Sequence, residues 1–186
     1  MLLVTRDTVG SHAFARMVRS GILVELTDSA ALAWDVAPTP HWRALAVQHL
    51  VPAHTVLSGL GGVWVHHGGR CPDPLIVVGK RGLHRTGVRP PRGTGTTLRF
   101  HSGKAATEEA ISMASIRVAT RARCAVDALR WDDHQQALPL LAALLRERHL
   151  DIAHIDQLVC SDSAVGAGYS RMASAWQALK SSVARD

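Results

Sequence analysis

The chain has 186 residues, 47% of them apolar and 19% charged, with a formal net charge of +6. That length fits one ordinary domain, or a core domain with a small appendage, and the apolar share excludes global disorder. No apolar run approaches the roughly 20 residues of a membrane span, and the start MLLVTRDTVG lacks the basic n-region and long apolar stretch of a secretory signal, so the expected location is cytoplasmic.

In chain order, Ser11 is placed to cap a helix whose Phe14, Met17 and Val18 follow helical spacing, with Arg16 and Arg19 on the other side. Ser20-Gly21 ends it, and residues 22–26 follow as an edge strand. Helix, RSG and strand is the order of a recognition helix and wing in a winged helix. Many small αβ units share it.

Thr39-Pro40 opens a second helix, 41 to about 50, with proline in a first-turn position where its missing N–H costs nothing. Residues 53–60 read as a third helix stopped by Gly61-Gly62, and 63–67 as a short β-prone stretch. LIVV at 75–78 is the clearest buried strand, and TTLRFH at 96–101 alternates as a strand. Between and around them lies the charge. Arg70, Lys80, Arg81, Arg85, Arg89, Arg92, Arg99 and Lys104 stand against Asp73 alone, while 1–69 is neutral and 105–186 carries −1. This stretch reads as a basic hairpin. Its field attracts polyanions over a Debye length of about 8 Å, nucleic acid first among them. A solvated hairpin with outward arginines has the same pattern, and an acidic protein would be drawn to it equally.

SIRVA at 115–119 reads as a strand, and Thr120 as the cap of a helix over 121–130 with Ala122, Ala125, Val126 and Leu129 inward. A Leu-rich helix follows over about 135–148, its start moved toward Leu138 by Pro139. Asp132-Asp133 are placed to cap it. Asp151 caps a short helix to 159, and a final helix runs over about 169–183. The fold expected is α/β (α+β): a small mixed sheet with packed helices.

Few patterns carry reaction chemistry. Three cysteines, Cys71, Cys124 and Cys160, have wide spacing and no CxxC, as free thiols in a reducing compartment do. His66 and His67 with Cys71 form the densest group of metal-ligand types, with His84 and His101 as possible additions, but HExxH and i, i+4 histidine pairs are missing. Ser58 in LSGLGG lacks the glycine two positions ahead that a nucleophile elbow requires. Gly93-Thr94-Gly95 opens like a phosphate loop without the GK[ST] that would complete it. A metal-dependent nuclease needs an acid–x–Lys strand pattern; the basic stretch has Asp73 alone, with Glu108 and Glu109 in a following helix or loop. Arg123 and Asp127 stand i, i+4 on one helix face and read as structural, fixing that helix against SIRVA.

The string IRVATRARCAVDALR, residues 116–130, resembles the strand–Thr–Arg–helix–Asp segment of AbiEi-like antitoxins and related actinobacterial transcriptional-regulator-like proteins. Val118, Thr120, Arg123 and Asp127 match it, and Cys124 replaces the usual Thr. Upstream, HWRALAVQHLVPAHTVLSGLGGVWVHHG is similar to the family's helix and S-x-x-S-A-A-x-L-x-G segment, with Ser58, Trp64 and Gly68 in place and Gly61-Gly62 where the Ala pair stands. PLIVV, the basic HRTGVR and the Leu-rich helix keep the family order. The resemblance implies a winged-helix-like remnant over 1–36, too short for three helices, and an AbiEi-like α/β domain over 37–186. It implies a non-enzymatic DNA-binding regulator, or an antitoxin of a type IV toxin–antitoxin-like system, with DNA and a toxin protein as partners and no cofactor. Phosphate contacts are expected from Arg16, Arg19, Lys80, Arg81, Arg85, Arg89, Arg92, Arg99 and Lys104. The alternatives are a module docking on an acidic protein, or a degenerate nuclease-like enzyme.

Overall fold

Leu3–Thr5 forms strand β1 in the computed structural model, which describes residues 2–80, 95–103, 108–162 and 168–185. Two helices follow, α1 over Arg6–Val9 and α2 over Ser11–Arg19, and then the strands β2, Leu23–Thr27, and β3, Ala30–Ala33. The three strands lie antiparallel in the order β1-β3-β2, with Leu32 between Leu3 and Val24 and a register shift between Glu25 and Thr27. Phe14 of α2 is buried on Leu23 and Ala31, ringed by Val4, Val9, Met17 and Val18. The expected helix and strand are thus present, and β1, α1 and β3 are added to them. Elements of three or four residues are too short to show a period. Ser11 does not cap α2: Gly10 occupies the cap position, without a side-chain bond.

Helix α3, Pro40–Val47, has Pro40 at its start and the Thr39 hydroxyl accepting from the Trp42 N–H. The next segment departs from the sequence reading. Residues 53–60 hold a strand, β4 at Val56–Ser58, and the stretch read as β-prone lies in helix α4, Gly59–His67. Gly61 and Gly62 lie within that helix. Gly59 through His66 are all buried, so α4 has no wet face and no amphipathic period. It supplies Leu60 and Val63 to one core cluster, Trp64 and Val65 to another.

Strand β5, Leu75–Gly79, is the expected buried strand, and β6, Leu98–Ser102, lies close to where it was read. They do not form a hairpin. They pair parallel, Leu75 beside Leu98 and Gly79 beside Ser102, so β6 begins level with the start of β5 rather than turning back from its end. Strand β7, Ala110–Met113, follows Glu108 and Glu109 directly and had no reading of its own; β8 is Ile116–Ala119. The second sheet runs β6-β5-β4-β8-β7, with β4 antiparallel to β5 and parallel to β8. Leu57, Leu75, Val77 and Val118 face α3 and the first sheet, joined in one cluster with Leu26, Leu32, Ala44 and Val47. Val56, Ile76 and Val78 face the other way.

That other face is covered by helices. The first, α5, spans Arg121–Trp131, with Thr120 accepting from the Arg123 N–H. Helix α6 spans His134–Arg146 and starts at His134, not Leu138, because Asp133 accepts from the Gln135 N–H and fixes the first turn. Pro139 is accommodated inside it. Helices α7, Ile152–Ser161 behind Asp151, and α8, Tyr169–Val183, complete the layer. Leu129, Leu141, Leu145, Ile155, Met172 and Trp176 are its buried centre. Among the described residues no helix is long and apolar enough to cross a membrane.

The contact of α4 with α5 has no slack. A Cβ on Gly62 would fall inside contact distance of the Cys124 sulfur. Gly62→Ala is expected to cost about 1–3 kcal/mol, as overpacked cores do. Cys124→Ala in the same chain should recover part of that loss. Urea unfolding of the two single variants and the double checks it: a double that costs the full sum of the singles contradicts the close packing.

Candidate nucleic-acid interface

Helix α2 buries Phe14 and turns Ser11, His12, Arg16 and Arg19 to solvent. Arg16 and Arg19 stand in its last turn, where the carbonyl end of the helix favours cations. Neither has a hydrogen-bond or ion-pair partner among the described residues. Their side chains are therefore available at full length to an outside anion.

The other expected phosphate contacts divide. Lys80 is exposed directly after β5, and Arg99 is exposed on β6, its Nη1 donating to the Trp131 carbonyl at 3.3 Å. Arg81, Arg85, Arg89, Arg92 and Lys104 lie outside the described residues. Arg16 and Arg19 thus belong to the first sheet, Lys80 and Arg99 to the parallel edge pair of the second. Among the described residues no hydrogen bond or ion pair joins the two groups. The stretch leading into β6 does reach the first sheet: Gly95 lies against the Asp28 carboxylate in the β2–β3 turn. Sequence reasoning assigned nothing to Ser11 as a contact or to His12, although their place at the start of an exposed helix is legible.

Arg123 and Asp127 belong to a buried assembly, and its reach is wider than an i, i+4 pair. Arg123 is 1% exposed. Its Nε donates to Asp127 Oδ1 at 3.2 Å, and its Nη1 and Nη2 donate to the two Asp162 oxygens at 3.2 and 2.6 Å. The second Asp127 oxygen accepts from the Ser58 hydroxyl at 2.6 Å, which ties α5 to the end of β4. Arg130 lies 3.6 Å from Asp162, and Glu109 3.9 Å from Arg123. Two guanidiniums therefore face three carboxylates, one acid in excess. Burial, against the pull of Arg123 and Ser58, pushes the Asp127 carboxyl up to about 6, and burial also raises Glu109. Asp162 carried no sequence signal, and Ser58 was marked only by the family resemblance, not as a partner of Asp127; both lie far from Arg123 along the chain.

Asp132 does not cap α6. Its Oδ2 accepts from the Leu60 N–H at 2.8 Å, at the start of α4, and burial raises its carboxyl to about 6 although Arg99 and Arg171 oppose the shift. Asp133 alone performs the cap. His66 and His67 lie on helix α4 rather than a strand; His66 Nε2 bonds the Ala119 carbonyl at 2.8 Å. Among the described residues no group of three or more His, Cys, Asp or Glu is placed to hold a metal ion; His84 lies outside those residues. Cys124 is a fully buried core residue.

Two outcomes follow from this electrostatics. Asp127→Ala strands the Arg123 charge in the core and should cost about 3–5 kcal/mol, read by urea unfolding. Asp132 holds its proton to higher pH in the folded chain than the ordinary Asp value of about 3.9. Its contribution to stability is thus full below about pH 4 and is lost as pH rises through about 6, the same sign as for Asp127. Asp132→Asn keeps a carbonyl for the Leu60 N–H and removes one titration. Its unfolding midpoint should fall less between pH 4 and 6.5 than that of the parent; an equal fall contradicts the assignment.

No protein-family model matches the chain, and no curated protein sequence matches it either.

Proposed function

We propose that the protein is a non-enzymatic DNA-binding regulator or antitoxin, similar to the AbiEi type, with α2 as its DNA-facing helix. The observation that carries this reading is the pair of arginines on α2, unpartnered among the described residues and set in a strand–helix–helix–hairpin unit with strand order β1-β3-β2. That connectivity is the one a winged helix uses after its first helix. A helix so mounted reads base edges from its N-terminal residues and holds the backbone with residues further along. Ser11 and His12 take the first role here, Arg16 and Arg19 the second.

Lys80 and Arg99 add a second cationic group. Arg81, Arg85, Arg89, Arg92 and Lys104, close to these two in the sequence, are the further phosphate contacts of this reading. Arginines suit that task because their forked donors match phosphate oxygens. The buried Arg123 is not among the contacts, since its donors are spent on Asp127 and Asp162. In this reading the chain works in the cytoplasm, and a toxin protein with an acidic face is the second partner.

Mobility-shift titration on the DNA upstream of the protein's own gene tests it. Binding should weaken with salt at a log–log slope near −0.9 per phosphate contacted. Arg16→Glu with Arg19→Glu should weaken binding at least about tenfold at low salt, since two phosphate contacts become repulsions. No shift of that DNA at low salt overturns the reading. A parallel pull-down with the product of the neighbouring gene separates DNA binding from docking on an acidic protein.

A further inference from the structure

Helices α4 and α6 and the segment from Gly68 to Asp73 line a half-open cavity of about 410 Å³. Small-molecule sites occupy about 300–1,000 Å³ and combine apolar walls with a few polar groups that fix orientation. The walls here are the Trp64 indole and Leu60 from α4, Leu140 from α6, and the Pro72 ring. Leu140 is one of the few large apolar residues that the fold leaves exposed. Cys71 lines the same wall, and its thiol, pushed up to about 12 by burial, stays neutral.

Two exposed polar residues on its lining, Arg70 and Gln136, have no side-chain hydrogen-bond or ion-pair partner among the described residues. The buried guanidiniums of Arg43 and Arg123, by contrast, are committed. Arg43 donates to the Val65 and His66 carbonyls, and Arg123 to its aspartates. Asp73 also lines the cavity, but its Oδ1 accepts from the Thr97 N–H at 2.7 Å and from the Thr97 hydroxyl at 2.8 Å. That pair of bonds pins the far end of the segment to the strand β6 side, and the Gly68 N–H, donating to the Trp64 carbonyl at 2.8 Å, pins the near end to α4. The wall is held at both ends. The cavity is thus a largely apolar slot whose lining carries, among the described residues, one unpaired cation and one unpaired amide.

We infer that this cavity binds a small organic acid, an aromatic or branched aliphatic carboxylate, with its apolar body between Trp64, Leu60 and Leu140 and its carboxylate on Arg70 and Gln136. A guanidinium matches a carboxylate with two parallel N–H donors, and the amide NH₂ adds a third. An uncharged ligand of the same shape keeps the apolar contacts and loses the charge-assisted ones. The inference does not depend on DNA binding: it concerns another part of the molecule and other residues.

Indole-3-acetate and its uncharged counterpart indole-3-acetamide are the probes, titrated into the full chain by calorimetry, with the Trp64 indole N–H followed by NMR. The acid should half-saturate below about 1 mM, and the amide should bind at least about tenfold more weakly, the discrimination of one charge-assisted contact. Arg70→Gln, an exposed position that leaves the core untouched, should abolish that preference while leaving amide affinity within about twofold. Leu140→Trp fills the slot and should remove both probes at unchanged circular dichroism. If that variant does not fold, the Trp64 N–H shift in the parent serves instead, since it places the probe. No binding of either probe at 5 mM (on the order of the weakest useful affinity), equal affinity for acid and amide, a preference that survives Arg70→Gln, or an unmoved Trp64 signal overturns the inference.

Discussion

One guanidinium ties the central strand β4, helix α5 and the end of helix α7 together. Arg123 is buried to 1% exposure, and a bare charge there would be prohibitive. Its donors are instead met by Asp127 on its own helix and Asp162 at the end of α7, and Asp127 passes the connection to Ser58 at the end of β4. Central strand, covering helix and outer helix are thus fixed by one chain of charged hydrogen bonds. Such a network does not add much net stability over an apolar core of equal volume. What it adds is specificity: α5 cannot slide or rotate over β4 without breaking bonds that nothing else in the dry core would replace.

The glycines of α4 make that geometry possible. Gly59 has a φ of +58°, a backbone conformation that other residues adopt with strain, and a Cβ there would collide with the Asp132 carboxylate. The same carboxylate accepts from the Leu60 N–H. Strand β4 can therefore turn at once into a helix buried on all sides, and the ends of α4 and α5 lock against each other. Beyond Asp132, Trp131 stacks on His101 of β6 with ring centres 4.5 Å apart and planes 6° from parallel, and Arg130 lies over its ring. The exposed arginine of β6 that bonds the Trp131 carbonyl is mounted on this rigid corner.

Much of the fold was legible where one face of an element is wet or a cap is strong. Helix α8 lay where Met172, Trp176 and Leu179 placed it, and α5 where Thr120 did. The buried strand LIVV needed no alternation to be seen, since proline and glycine bracket it. What failed was the middle. Residues 56–67 are buried almost throughout, so neither the strand nor the helix there has a periodic signature, and the glycines that permit close packing look like helix stops. The parallel pairing of β5 with β6 was hidden because the glycines and prolines between them suggest a hairpin, and only the register reveals the parallel arrangement. Among the site residues, the sequence marked the cations on α2 and the pair Arg123 and Asp127. It did not mark Asp162, the bond from Ser58 to Asp127 or the cavity beside Trp64, which are made by the meeting of segments far apart in the chain.

The parallel pairing of β4 with β8 has a consequence for how the chain is made. Val56 lies beside Arg117, so the central sheet cannot close until some sixty residues beyond β4 have been synthesised. Strands β1 to β3 and helix α2, by contrast, are complete by Ala33 and bury Phe14, Leu23 and Ala31 among themselves. Contacts between neighbours in sequence form faster than those that require a long loop to close. The N-terminal strands and helices therefore emerge from the ribosome able to pair early, while β4 and α4, apolar on every side, wait for α5. In that interval the apolar run of β4 and α4 is the part of the nascent chain most exposed to aggregation.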